Sequence, residues 1–215
     1  MSTDNQLVLG VLGGMGPAAT LEFLSRVQAY TPAEKDQDHI RVIVDINPKA
    51  PDRNVPGSGA GGVLAEMAGA LRGAGAEVLA MPCNTAHAHA DLIQRASGLP
   101  LIDMIDLGAE AARRTGAMRA GVLGTKGAIK LYREYLAARA MGLVSLPPER
   151  QEAFMATLYR MKAGDLGASV KAEMQGYAAE LKTLGAEVLV AGCTEVPLVL
   201  GKGDTRLELV DPGDL

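Results

Sequence analysis

One stretch of this chain is written twice. Gly75-Ala-Glu-Val-Leu79 leads through Ala-Met-Pro to Cys83, and Gly185-Ala-Glu-Val-Leu189 leads through Val-Ala-Gly to Cys193, 110 residues further on. Gly10-Val-Leu-Gly13 returns as Gly121-Val-Leu-Gly124, and Leu99-Pro-Leu-Ile-Asp103 as Leu207-Glu-Leu-Val-Asp211, at spacings of 111 and 108 residues. Self-similarity at a fixed period outranks any single motif as a fold signal. Each copy holds continuous apolar runs of strand length alternating with helical spacing, the pattern of a parallel sheet covered on both faces. The expected fold is therefore α/β, two parallel-sheet domains from a tandem duplication. The first domain is expected over 1–100 plus 208–215, carrying Cys83, and the second over 101–207, carrying Cys193.

In the first copy, Leu7–Leu12 reads as a strand running into Gly13-Gly-Met-Gly-Pro-Ala-Ala-Thr20. A helix follows with Leu21, Leu24 and Val27 on one face. Ile40–Ile46 is a second strand. Asn47–Gly62 is a long Pro/Gly-rich loop carrying Asp52 and Arg53, and loops of that length are functional lids or disordered. Helical spacing at Val63, Leu64, Met67 and Leu71 leads to the Cys83 strand, a short helix over about 85–96 and a last short strand over 99–103. The second copy keeps the order, with Thr125-Lys-Gly-Ala128 in place of the glycine turn and two helices, over about 149–161 and 166–184, joined by Lys162-Ala-Gly-Asp165. A helix is expected after Asp103. After Asp211 only four residues remain, too few for its repeat.

The net charge of −4, with both signs interleaved, leaves no electrostatic footprint for nucleic acid or an anionic membrane. No apolar run reaches the roughly 18 to 20 residues of a membrane span, and Met1-Ser-Thr-Asp-Asn-Gln6 lacks the basic and apolar regions of a secretory leader. A cytoplasmic location is expected, where both cysteines remain thiols. With 3% aromatic residues and no Trp, the chain has no stacking platform for bases or sugars.

Each cysteine closes an apolar run and opens a turn, which is where open α/β sheets place ligands. A thiol at a helix head has its thiolate stabilised by orphan amides, and His87, four residues after Cys83, would stand above it. A lone cysteine is commonly just a small apolar core residue, but two at equivalent strand ends are harder to explain as packing. Glu195, two residues after Cys193, could orient the thiol, share its proton or complement a short helix over 196–200. Asn84, Thr85 and Thr194 put polar groups at both strand ends, suited to a carboxylate. Gly14-Met-Gly16-Pro-Ala-Ala19 fits a dinucleotide-binding pattern, with Asp45 where such a site wants an acid. Pro17 and the absence of the pattern from the second copy count against it. The glycine turn, with Gly14 and Met15, is instead a candidate for backbone contact with an anion or simply a tight connection. Arg53 and Lys162 are ordinary surface charges until something else singles them out.

Pro82-Cys-Asn-Thr-Ala-His87, Gly192-Cys-Thr-Glu195 and Leu12-Gly-Gly-Met-Gly-Pro17 together resemble the aspartate/glutamate racemase superfamily, over essentially the whole chain. The chain is more similar to aspartate racemases than to glutamate racemases, which typically have Asp-Ser-Gly in the opening turn and His after Cys-Thr. Pro51-Asp-Arg53 and Lys162-Ala-Gly164 match segments in which Arg and Lys are thought to grip the substrate's side-chain carboxylate. The resemblance implies Rossmann-like domains related by a pseudo-twofold axis with the site between them, no cofactor, and a homodimer. Ala128 stands where relatives often have Thr, which puts a hydroxyl contact in the Thr125 turn in doubt. Relatives also have a closing C-terminal helix on the first domain.

Inverting an α-carbon needs a base on one face and an acid on the other. A cysteine from each copy supplies both, with roles exchanged for the reverse reaction. No pyridoxal-binding lysine motif is evident, so carbanion stabilisation would fall to amides and hydroxyls around the α-carboxylate. The expected activity is a cofactor-independent, metal-free racemase of a small acidic amino acid, most simply aspartate. Cys83 and Cys193 would be catalytic, Gly14, Met15, Arg53, Asn84, Thr85, Lys162 and Thr194 would bind substrate, and His87, Thr125 and Glu195 would support them. Alternatives are related paired-cysteine enzymes (glutamate or hydantoin racemase, maleate isomerase, arylmalonate decarboxylase), a non-catalytic carboxylate-binding module, and a redox dithiol protein.

Overall fold

The structure is a computed structural model that describes residues 7–201 and 203–215. The leader reading on Met1–Gln6 lies outside them.

Two compact units form. The first unit contains β1 (Leu9–Gly13), α1 (Pro17–Tyr30), β2 (Val42–Ile46), α2 (Ala60–Gly73), β3 (Val78–Ala80) and α3 (Ala90–Ser97). Its parallel sheet has the order β2-β1-β3, and Leu101 adds a single parallel bridge to Leu79 beyond β3. The second unit contains α4 (Met104–Arg114), β4 (Arg119–Val122), α5 (Lys126–Ala137), β5 (Gly142–Val144), α6 (Pro148–Lys162), α7 (Ala168–Thr183), β6 (Val188–Val190) and β7 (Leu209–Val210). Its parallel sheet has the order β5-β4-β6-β7. The two sheets share one topology, with β1, β2, β3 and Leu101 answering to β4, β5, β6 and β7.

The repeated pentapeptide does the same work in both units. Gly75 and Gly185 sit at φ +101° and +94°, just past the ends of α2 and α7. Their N–H groups donate to Arg72 and Lys182, and those of Ala76 and Ala186 to Leu71 and Leu181. This Schellman arrangement satisfies the last carbonyls of each helix and needs a residue tolerant of positive φ. Glu77 and Glu187 then accept from the N–H of Val8 (2.8 Å) and Met118 (2.7 Å), fixing where β1 and β4 begin. Leu79 and Leu189 are fully buried. Each such leucine contributes about 1.5–3 kcal/mol. At the paired positions Gly10 and Gly121, a Cβ would lie 2.8 Å and 2.9 Å from the Cβ of Ala76 and Ala186, so the turn after each helix approaches the strand too closely there for a side chain.

Several expectations change. Leu21 is 60% exposed, because α1 turns Ala19 and Thr20 inward and lays Phe23, Leu24 and Val27 against Leu9, Val11 and Ala80. The 99–103 strand reduces to one bridge. Residues 208–213 belong to the second unit rather than the first, since Leu209 and Val210 pair with Leu189 and Val190 of β6. The boundary itself falls between Asp103 and Met104, and α4 packs on α5. Of the C-terminal residues only Asp214 groups with the first unit, through Arg26 (2.9 Å) and Tyr30 (3.2 Å). Among the described residues no helix is long and apolar enough to cross a membrane.

Candidate active site

In a sheet of order 2-1-3, the chain leaves the first strand for one side and returns on the other. The carboxyl ends of those two central strands open the crevice where α/β proteins bind ligands. In the first unit that point is flanked by the glycine turn after β1 and by Cys83, three residues after β3. In the second it is flanked by Gly124-Thr125 after β4 and by Cys193, three residues after β6. Both cysteines are free and buried.

On the first unit, Gly14 has φ +92° and packs against the Asn47 backbone, where a Cβ would come within 2.5 Å. Its N–H is spent on Thr20 Oγ1 (2.9 Å), which itself donates to the Gly16 carbonyl (2.9 Å). The Gly14 amide is thus committed to the turn rather than to a ligand, and Met15 buries its side chain in the core. Thr20, the residue that organises this turn, was not anticipated. Its signal was a threonine in the first turn of a helix opened by Pro17, where a hydroxyl can bond back to the preceding loop.

Arg53 reaches across from the β2–α2 loop. Its guanidinium donates to the carbonyls of Pro51 (3.0 Å), Ala50 (3.3 Å) and Met15 (3.5 Å), which ties the loop to the glycine turn. Its buried Nε has no partner among the described residues. Buried donors are rarely left so. One N–H of this fork therefore remains for an acceptor that the described residues do not supply.

Cys83 is not at the head of an α-helix. A 3-10 turn, Thr85–His89, follows it, and α3 starts only at Ala90. Asn84 and Thr85 are buried at the start of this turn. The His87 ring meets backbone: Nδ1 lies 3.0 Å from the Cys83 carbonyl oxygen and Nε2 3.4 Å from that of Ile102. Burial holds its pKa below the ordinary 6.5, against the opposing pull of those carbonyls and of Asp103. The ring is thus held between two backbone carbonyls, one of them that of Cys83 itself.

On the second unit, Thr125 is the N-cap of α5 and accepts from the Ala128 N–H (3.1 Å). Gln151, from α6, donates to the Gly124 carbonyl (2.9 Å) and holds this turn from 27 residues away, with no local pattern to announce it. Gly124 and Gly192 pass so closely that a Cβ on the former would come 2.8 Å from the latter's oxygen. Thr194 is half-buried beside them.

Cys193 donates its S–H to Glu195 Oε2 (2.9 Å), and Glu195 Oε1 accepts from Lys162 Nζ (2.6 Å). Burial first, then the Glu195 carboxylate, push the Cys193 thiol well above its ordinary range, with Lys162 pulling the other way. This geometry suits Glu195 both to orient the thiol and to share its proton. Lys162, expected at a ligand, is engaged by Glu195. Among the described residues no group of three His, Cys, Asp or Glu side chains is arranged to hold a metal ion.

Comparison with known proteins adds the following. Residues 12–215 match the family model described as Asp/Glu/Hydantoin racemase. A broad-specificity amino-acid racemase of Bacillus subtilis is 26% identical over 95% of this chain and 92% of its own length. A glutamate racemase of Pseudomonas aeruginosa is 33% identical over 58% of this chain and 48% of its own length. Among solved structures, an aspartate racemase of Picrophilus torridus has a TM-score of 0.84 at 24% identity, covering 96% of this chain and 89% of that one. An aspartate racemase homologue of Pyrococcus horikoshii has a TM-score of 0.77 at 26% identity, covering 97% and 95%.

Proposed function

The chain belongs to the Asp/Glu/hydantoin racemase family, and from that premise we propose that it is a cofactor-independent racemase that interconverts L- and D-aspartate with Cys83 and Cys193 as its two acid/base groups. The observation that carries this reading is positional. The chain's two cysteines follow equivalent strands, β3 and β6, at the carboxyl edge of two parallel sheets that share the order of their first three strands. Two-base inversion requires one proton carrier for each face of the α-carbon, and a duplicated fold that puts a thiol at the same point of each half is the simplest source of such a pair. The similarity to an aspartate racemase fold supports the choice of substrate.

On this reading one sulfur removes the α-proton while the other delivers one to the opposite face, and the reverse reaction exchanges their roles. Asn84, Thr85 and Thr194 supply polar groups for the α-carboxylate, whose negative charge grows as the carbanion forms. The unspent Nε–H of Arg53 suits a second carboxylate. Purified protein without added cofactor should bring L- or D-aspartate to the racemate, followed by circular dichroism, and should exchange the α-hydrogen in heavy water. Either Cys83→Ala or Cys193→Ala should lower the rate on the order of 10²–10⁴-fold with the fold intact. A single-cysteine variant that kept near-normal racemisation would remove the two-thiol scheme.

A second reading is a racemase of wider amino-acid range. In its favour, Arg53 and Lys162 already have partners inside the protein, and the relative aligned over nearly its full length is described as broad-specificity. Equal turnover of aspartate and an uncharged amino acid such as alanine would select it.

A further inference from the structure

The duplication breaks at one chemically telling position. Cys83-Asn-Thr85 in the first copy stands against Cys193-Thr-Glu195 in the second, so the carboxylate beside Cys193 has a threonine as its counterpart. That carboxylate is nearly sealed from solvent, with 3% of the Glu195 side chain exposed, and its two oxygens have separate partners, the Lys162 ammonium and the Cys193 S–H. Lys162, the last residue of α6, is the less buried partner, with 24% of its side chain exposed. An anion arriving from solvent therefore competes for Lys162, not for the buried thiol.

We propose that Lys162, Glu195 and Cys193 form a ligand-operated latch, in which an acidic ligand that draws the Lys162 ammonium off Glu195 makes this buried carboxylate the acceptor of the Cys193 proton. The proposal rests on the reading of Cys193 as an acid/base group. In the step, the S–H bond breaks and an O–H bond forms at Glu195 Oε2. The S–H electron pair stays on sulfur as the thiolate, and Lys162 keeps its proton and pairs with the incoming carboxylate. A carboxylate buried without its cation is costly, and its affinity for a proton rises accordingly. The nearest proton is the one it already accepts, 2.9 Å away. Lysine suits the part because its compact ammonium, on a flexible stem, can exchange partners. The charged groups acting on Cys193 are Glu195, from its own segment, and Lys162, from α6. Without the ligand, burial and the Glu195 charge keep the thiol protonated against the opposing pull of Lys162, and that protects a buried nucleophile until an acidic substrate arrives.

The test uses Cys83→Ala protein, in which Cys193 is the single thiol, so that ultraviolet thiolate absorbance reports its ionisation. Succinate, a dicarboxylate with no α-amino group to racemise, should raise that absorbance at neutral pH and move the titration midpoint down by about one unit or more. The neutral diamide of succinate should do neither. Adding Glu195→Gln or Lys162→Met should abolish the response, with circular dichroism spectra confirming folding. If one of these variants fails to fold, the other decides. Succinate without effect, or a response that survives in either folded variant, would overturn the latch. Wild-type racemisation separates the two claims: activity without a succinate response removes the latch alone, and a response without activity removes the racemase reading alone.

Discussion

At the scale of single residues, the candidate site is built from side chains that clamp backbone as much as from side chains that face a ligand. His87 is the clearest case, because burial lowers its pKa in the folded protein. The unfolded chain then takes up more protons than the native state between the depressed folded value and the ordinary 6.5, so stability is full above that window and is lost as the pH falls through it. Urea denaturation should show a stability that falls as pH drops from 7 toward 5 by up to one proton's worth, about 1.4 kcal/mol per pH unit. Replacement by Gln should flatten that slope. An unchanged slope in the variant would mean that His87 is not the group responsible. The Lys162–Glu195–Cys193 chain belongs to the same scale, and its mutational test reads a thiol's ionisation rather than stability.

At the scale of elements, the turns after β1 and β4 solve one problem in two ways. Both must lead a parallel strand into a helix without orphaning the first amides. The first turn uses glycines and the Thr20 hydroxyl from inside α1, and the second uses Thr125 as a true N-cap of α5. Thr125→Ala should cost about 1 kcal/mol, measured by chemical denaturation, and Thr125→Ser should recover most of it. A full loss retained in the serine variant would locate the effect in the methyl group's packing. The helices themselves differ in cover. Tyr132 of α5 is fully buried where α4 packs on that helix, whereas its counterpart on α1, Leu21, is exposed.

At the scale of the whole chain, the duplication is a statement about energetics as well as ancestry. Gly10 and Gly121 hold the same place on β1 and β4, each facing an alanine and a leucine from the repeated pentapeptide at 2.8–3.0 Å from a built Cβ. Gly10→Ala and Gly121→Ala should each destabilise the protein by about 1–3 kcal/mol through overpacking, and by similar amounts. Thermal unfolding of the two variants compares them directly. A neutral effect at one site and a large one at the other would show that the two cores no longer pack alike.

How much of this was legible depends on the range of the interaction. The repeated pentapeptide carries part of its own explanation: its positive-φ glycine and buried alanine bond back to the last turn of the helix they follow, so the fold class and both cysteine-bearing strand ends could be read from spacing alone, whereas its glutamate meets a backbone amide 69 residues away and the strand order had to come from the structure. The domain junction, the allegiance of residues 208–213 and the exposure of Leu21 could not, because each depends on which distant segment arrives to pair or cover. The same holds at the candidate site. The sequence by itself determined that two thiols end equivalent strands. Only the tertiary structure decided that His87 serves the backbone, that Gln151 holds a turn 27 residues away, and that Lys162 is held by Glu195. Hydrogen bonds and ion pairs are made by atoms that meet in space, and a linear pattern records only the residues able to make them.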